Sequence, residues 1–356
     1  MNTSDATIAK QTAEVIRVID QYFDQSITAA GTISDSYQQL WKHLQTLLRS
    51  GGKRVRPQMT LLAYEAFGGK DHATLLPIAA AQELLHFSLL IHDDIIDRDY
   101  IRYGVPNIAG QYDTQYHPYV HDNSERIHYA NSAALLGGDL MLSGAYQMIA
   151  SSHLSSEDKI IAQSLLGQSI FEVAGGELLD TEAAFIPMMA GDAVKIARYK
   201  TASYSFVIPL LTGARLAGAD ESQQKVLRTF ATALGIAYQL VDDLLGVFGT
   251  EEKTGKSTSG DIREGKRTFM VEQCLSLMDA NQRELFDMSF GDPDATTTTI
   301  AKVKELLVIS GAKSITEQTI LQYATDAQAA LKDLTIDDTH LALFEQFITK
   351  VTDRSS

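Results

Sequence analysis

The chain has 356 residues, 45% hydrophobic and 21% charged, a globular composition with room for one large core or two ordinary ones. Lys and Arg number 30 against 45 Asp and Glu, and the resulting net charge of −15 argues against nonspecific binding to nucleic acid or to an anionic lipid surface. The single cysteine, Cys274, excludes an internal disulfide, fits a reducing cytoplasm and reads by default as a small buried apolar residue.

The first residues, Met1-Asn2-Thr3-Ser4-Asp5, lack a basic region followed by an apolar one, and no window reaches about 18 apolar residues. Neither an export signal nor a membrane span is expected. Only seven prolines and 24 glycines interrupt long stretches with apolar residues at i, i+3, i+4 and i+7, and no train of alternating strands stands out. The expected class is all-α.

Residues 5–49 read as two amphipathic helices, stopped by Ser50-Gly51-Gly52. Pro57 opens the next helix in its first turn, where a missing N–H costs nothing. Lys53, Arg54 and Arg56 lie at that helix start, where free backbone N–H groups and the helix dipole favour a diphosphate; the blander reading is an ordinary basic loop. A helix over 75–98 runs through the apolar stretch Leu84 to His92 and carries Asp93-Asp94-Ile95-Ile96-Asp97. The polar loop Arg102-Tyr103-Gly104-Val105-Pro106 follows, then a Tyr-, His- and Asp-rich stretch to residue 129.

Further helices are expected over 130–152, 156–174 and 192–217. Another, over 223–248, carries Asp242-Asp243-Leu244-Leu245-Gly246. Residues 254–268 form a small-residue and charged segment that cannot pack a core and reads as a flap over a site. Gly291-Asp292-Pro293-Asp294 and the threonines after it mark a surface turn. Residues 299–334 read as two helices broken at Gly311, with Ile315, Leu321 and Leu331 suggesting packing. With no linker and no short-period repeat, the expectation is a single domain over 1–356.

The two acidic clusters carry the chemistry. On a helix, Asp93 and Asp97 stand one turn apart on one face with Asp94 beside them, so their carboxylates converge and repel unless a cation joins them. Alone, either cluster could be a solvated helix terminus, but both continue helices too apolar for the surface. No His or Cys sits at ligand spacing within them, so a hard, oxygen-seeking cation is expected, Mg²⁺ first, completing its shell with water and phosphate. Together with a basic helix start and a Lys-rich flap, they describe a site for two phosphorylated ligands. The apolar stretches add a wall for a greasy tail. Such a site favours ionisation of an allylic diphosphate and attack on the cation by a second substrate's double bond.

Gly51-Gly52-Lys53-Arg54-Val55-Arg56-Pro57, His86, Asp93-Asp94-Ile95-Ile96-Asp97, Lys200-Thr201, Gln239, Asp242-Asp243, Lys256 and Lys266 fall in the order of, and resemble, the trans-isoprenyl diphosphate synthases. Within that family, residues 244–249 with Thr254-Gly255-Lys256 and Glu264-Gly265-Lys266-Arg267-Thr268 are similar to the bacterial geranylgeranyl-type branch.

The resemblance implies a single large helical bundle around a central cavity. It implies Mg²⁺ held by Asp93, Asp94 and Asp97 against the allylic diphosphate, and a further Mg²⁺ held from the opposite wall by Asp242, with Asp243 more loosely. Lys200, Lys256, Lys266 and Arg102 would neutralise that diphosphate, Thr201 and Gln239 would line the cation's path, and Lys53, Arg56 and His86 would hold isopentenyl diphosphate. A homodimer is expected from the resemblance only.

Two positions depart from the family pattern. Tyr103 stands where a second arginine usually follows Arg102, and a phenol brings no charge. Gly246 stands where the second cluster usually has a third carboxylate, and Asp243, Asp261 or water would have to compensate. Product length should depend on what blocks the tunnel below the first cluster. Ser88, five residues before Asp93, leaves room, with Phe87, Met141 or Tyr146 as a lower floor, and the expected product is of geranylgeranyl length. The competing readings are a class I terpene cyclase, which has no use for the basic patch at Lys53, and a regulatory or partner subunit that has lost turnover.

Overall fold

The computed structural model describes residues 3–186, 189–249 and 258–353. They are almost entirely helical and divide into two compact units, Met1–Leu166 and Gly167–Ser356.

In the first unit, α1 (Thr3–Gly31) packs on α2 (Asp35–Arg49), and α3 (Val55–Ala66) on α4 (His72–Ile96). A two-stranded hairpin, β1 (Ile101–Arg102) and β2 (Val105–Pro106), precedes α5 (Ile108–Tyr116) and α6 (Asn123–Ser151). The helix starts follow side-chain caps: Ser34, Asp71, Asn107 and Asp122 each accept a backbone N–H of the following turn, an arrangement worth about 1 kcal/mol per cap. The centre of the unit is α4 against α6, where Leu84, Phe87, Ile91, Met141 and Ala145 are buried.

The expected polar loop over 102–106 is this hairpin. Its turn is Tyr103-Gly104, with φ of 55° and 75°, the pair of positive values that a two-residue turn between antiparallel strands uses. Glycine adopts such angles freely, whereas a residue with a β-carbon loses roughly 1–2 kcal/mol there.

In the sequence of the second unit, the later part of α7 (Ser156–Glu182) leads to one long helical run with three parts. These are α8 (Asp192–Ile196), a π-helical segment (Ala197–Val207) and α9 (Ile208–Leu216). Next come α10 (Glu221–Phe248), α11 (Gly260–Arg263), α12 (Phe269–Leu277) and α13 (Ala280–Asp287). The last three are α14 (Thr297–Ile309), α15 (Ala312–Leu331) and α16 (Asp338–Thr352). Here α10 is central, packed on the π-helical segment, α15 and α16, with Phe230 and Phe344 edge to face.

Two boundaries and one packing expectation differ from the sequence reading. Helix α6 starts at Asn123, not near 130, because Asp122 caps it and Arg126 is tied to Asp113. Helix α7 does not stop near 174 but continues through Gly175-Gly176 to Glu182. A side chain at Gly176 would strike the Lys200 backbone, so this glycine permits a close approach and does not end the helix. Leu321, expected to pack, is 59% exposed.

Helices α4 and α10 are as long and apolar as membrane spans, with mean hydropathies of 1.5 and 1.3 over an 18-residue window. In each, 67% of that window is buried within the protein, the setting of a core helix. These two helices carry the acidic clusters.

Candidate active site

At the end of α4 the helical repeat holds through the first cluster, since the Asp97 amide donates to the Asp93 carbonyl at 2.8 Å. Oxygens of Asp93 and Asp97 come within 4.8 Å of each other. Asp94 is buried, and its carboxyl is pushed up to about 6 by burial against the opposing pull of Arg102. The hairpin delivers Arg102 to this point: its Nε lies 2.7 Å from Asp94 Oδ1 and its Nη2 3.1 Å from Asp93 Oδ2. Burial works against the Arg102 charge, but Asp94 and Asp93 more than offset it and hold the guanidinium protonated. The other Asp94 oxygen, Oδ2, is buried without a hydrogen-bond partner. An all-oxygen donor set with an orphaned buried carboxylate oxygen suits a hard divalent cation.

The expected isopentenyl diphosphate residues lie nearby in the same unit. Lys53 is exposed in the turn before α3, and Arg56 stands in that helix's first turn. His86, on α4, is held neutral, first by burial and then by the charges of Arg56, Arg102 and Arg54. Arg54 points elsewhere. Its Nη1 meets Glu83 at 2.7 Å and its Nη2 the Leu48 carbonyl at 2.5 Å, so Arg54 braces the turn.

In the second unit, the π-helical segment carries Lys200 and Thr201. Lys200 Nζ lies 3.0 Å from Glu177 and 2.6 Å from Asp180, both on α7. Thr201 donates its hydroxyl to the Gln239 carbonyl oxygen, and the Gln239 amide nitrogen donates to Asp243 at 2.7 Å. Asp243 is buried and pushed up to about 7, chiefly by that burial, with Lys266 pulling the other way from 3.9 Å. Lys266 gains more from Asp243, Asp261, Asp180 and Asp242 than burial takes away, and stays charged. Asp242, by contrast, is exposed, in the last two turns of α10.

Gly246 is where the second cluster departs from the first. A β-carbon there would run into the Asp261 carboxylate, so Asp261 occupies the volume that a side chain at position 246 would fill. Lys256 and the first part of the expected flap, residues 254–257, lie outside the described residues.

The sequence reading missed Glu177, Asp180 and Glu83. The first two are an acidic pair three residues apart on one helix face, but the helix was expected to end before them. Glu83 reads as one polar residue in an apolar stretch, and only its buried contact with Arg54 gives it a role.

The chain matches the sequence model of the polyprenyl synthetase family over residues 37–307. It is 31% identical to geranylgeranyl diphosphate synthase of Sulfolobus acidocaldarius over 285 residues, 78% of this chain and 81% of that one. It is 32% identical to geranylfarnesyl diphosphate synthase of Aeropyrum pernix over 291 residues, 80% and 84% of the two chains. Among solved structures, geranylgeranyl pyrophosphate synthase of Corynebacterium glutamicum, complexed with isoprenyl diphosphate and magnesium, superposes with a TM-score of 0.90. It is 30% identical, over 97% of this chain and 98% of that one. Motif order, helical architecture and similarity agree, and the chain belongs to the polyprenyl synthetase family of metal-dependent trans-prenyltransferases, whose substrates are isopentenyl and allylic diphosphates.

Proposed function

We propose that this prenyltransferase condenses isopentenyl diphosphate head-to-tail with allylic diphosphates and releases a linear trans-prenyl diphosphate of geranylgeranyl length. The observation that carries the site assignment is the convergence of Asp93 and Asp97 oxygens at the end of a buried helix, beside the orphaned oxygen of Asp94. Asp93, Asp94 and Asp97 would hold Mg²⁺, with Asp242 and, less directly, Asp243 holding more. When bound, Mg²⁺ neutralises the diphosphate as it leaves the allylic carbon.

The protein's own groups do the rest. Arg102 and Lys200 are paired with carboxylates, and for a bound substrate they would offer their charges to diphosphate oxygens, joined by Lys256 and Lys266. The Gln239 carbonyl and Thr201 hydroxyl, fixed by their mutual bond, offer negative oxygens to an allylic cation. Lys53 and Arg56 supply charge to isopentenyl diphosphate, while His86, kept neutral, adds a hydrogen bond without adding charge. The double bond of isopentenyl diphosphate then attacks, and the proton it sheds goes to the released diphosphate.

The matched family region runs through the sequence of both units and supports reading 1–356 as one functional domain. The family resemblance supports a homodimer, and the single cysteine suits the cytoplasm. Product length rests on Ser88, buried on α4 with an unpartnered hydroxyl. The test is to incubate the purified chain with Mg²⁺, isopentenyl diphosphate and dimethylallyl, geranyl or farnesyl diphosphate, and to identify the products. A linear geranylgeranyl product is expected, with Ser88→Phe shortening it. Cyclic hydrocarbons, or no product without a partner chain, would overturn the proposal, and an unchanged distribution in Ser88→Phe would remove this position from the tunnel.

A further inference from the structure

We propose that Tyr103 is a positioning residue for the isopentenyl diphosphate loop: its ring closes over Gly51 and holds the 51–56 turn in the form that presents Lys53 and Arg56. The inference rests on the reading of Lys53 and Arg56 given above.

The glycine that begins the turn is required by the ring. Gly51 has no positive φ, so its backbone would accept any residue. A β-carbon there, however, would stand 2.6 Å from Cγ of Tyr103 and within 2.9 Å of both ring Cδ atoms. The ring therefore lies directly against the backbone of the loop. Gly52 is constrained differently: its φ is 107°, and a β-carbon on it would stand 2.5 Å from Nη1 of Arg54. Arg54, itself at φ 53°, is anchored to buried Glu83. The two glycines are thus packed against a phenol ring and a guanidinium tied to buried Glu83, respectively.

Tyr103 adopts a backbone angle that bulky residues avoid, and the hairpin turn keeps it there. Where a second arginine would add a charge for the diphosphate, this chain has a side chain that acts through packing on the loop that carries the charges. Because Tyr103 is 42% exposed and belongs to no core, removing it should disturb the loop and leave the fold intact.

The experiment is steady-state kinetics on the purified full chain with Mg²⁺, measuring KM for each diphosphate, kcat and the thermal unfolding midpoint. Tyr103→Ala and Gly51→Ala should each raise KM for isopentenyl diphosphate about 10-fold, with kcat and the allylic KM within about 2-fold of the parent. Tyr103→Phe should match the parent, since the ring is retained. The double variant should be no worse than either single one, because the ring that the new methyl group would strike is gone. An unchanged KM in Tyr103→Ala overturns the proposal. So does a Tyr103→Phe variant as impaired as Tyr103→Ala, which would mean that the hydroxyl itself meets substrate, and so do additive effects in the double variant. If Tyr103→Ala loses its unfolding transition, Gly51→Ala and Tyr103→Phe decide. Lys53→Ala tests the underlying reading separately: if it leaves KM unchanged while Tyr103→Ala and Gly51→Ala raise it, the packing pair stands and the assignment of the loop falls.

Discussion

The two acidic helix ends solve one problem by different means. At the end of α4, Asp93, Asp94 and Asp97 all come from about one helical turn, and Asp93 and Asp94 share a single cation, Arg102, supplied by the hairpin. Near the end of α10 the helix provides Asp242, Asp243 and Gln239, which stands one turn before Asp243, and the rest is brought from other segments. Gln239 and Thr201 orient Asp243, Lys266 faces it, and Asp261 fills the place beside Gly246. The first end is therefore local and complete, whereas the second depends on neighbouring segments being in position.

Substitution of the carboxylates is the largest way to break that contrast. Asp97→Asn should lower kcat/KM about 10³-fold and Asp242→Asn about 10²-fold, the range reported for removing one group that stabilises developing charge. Equal losses measured at saturating Mg²⁺ would erase the distinction between the two ends.

A smaller effect sharpens it. If Asp261 does the work of the missing carboxylate, Asp261→Asn should weaken Mg²⁺ binding about 10-fold by calorimetry, and Gly246→Asp combined with Asp261→Gly should recover most of it. Gly246→Asp alone should be worse than the double variant, since the new side chain meets Asp261.

The smallest effect concerns protons. Asp243 rises from the ordinary 3.8 to about 7, so between those values the folded chain holds a proton that the unfolded chain has released. The stability of the metal-free protein should fall as pH rises from about 4 to about 7 and then level off, with Asp94 adding a fall that ends near 6. Thermal unfolding from pH 4 to 8 should show a flatter profile in Asp243→Asn.

Much of this was legible in the sequence where one helix supplied everything. The helix of the first cluster, the convergence of Asp93 with Asp97 and the stop at Gly51-Gly52 follow from the periodicity of apolar positions and from helix-end chemistry. What remained hidden depended on a second segment. The helix expected over 156–174 continues through Gly175-Gly176, and only the Lys200 backbone lying against Gly176 gives the glycine there a reason inside a helix that brings Glu177 and Asp180 to Lys200. Tyr-Gly is not one of the dipeptides that announce a two-residue hairpin turn, and a tyrosine with positive φ is recognisable only once the turn is seen.

The π-helical stretch over Ala197–Val207 gives Lys200 and Thr201 a register that an α-helix would not. Its hydrogen bonds close one residue later than those of an α-helix, which amounts to residues inserted into an otherwise continuous rod. Deleting one residue within it would let the rod relax toward ordinary α geometry, rotating everything on one side of the cut relative to the other. The chain has traded a more comfortable helix for a particular orientation of two side chains, and its tolerance to length change should be lowest in this stretch.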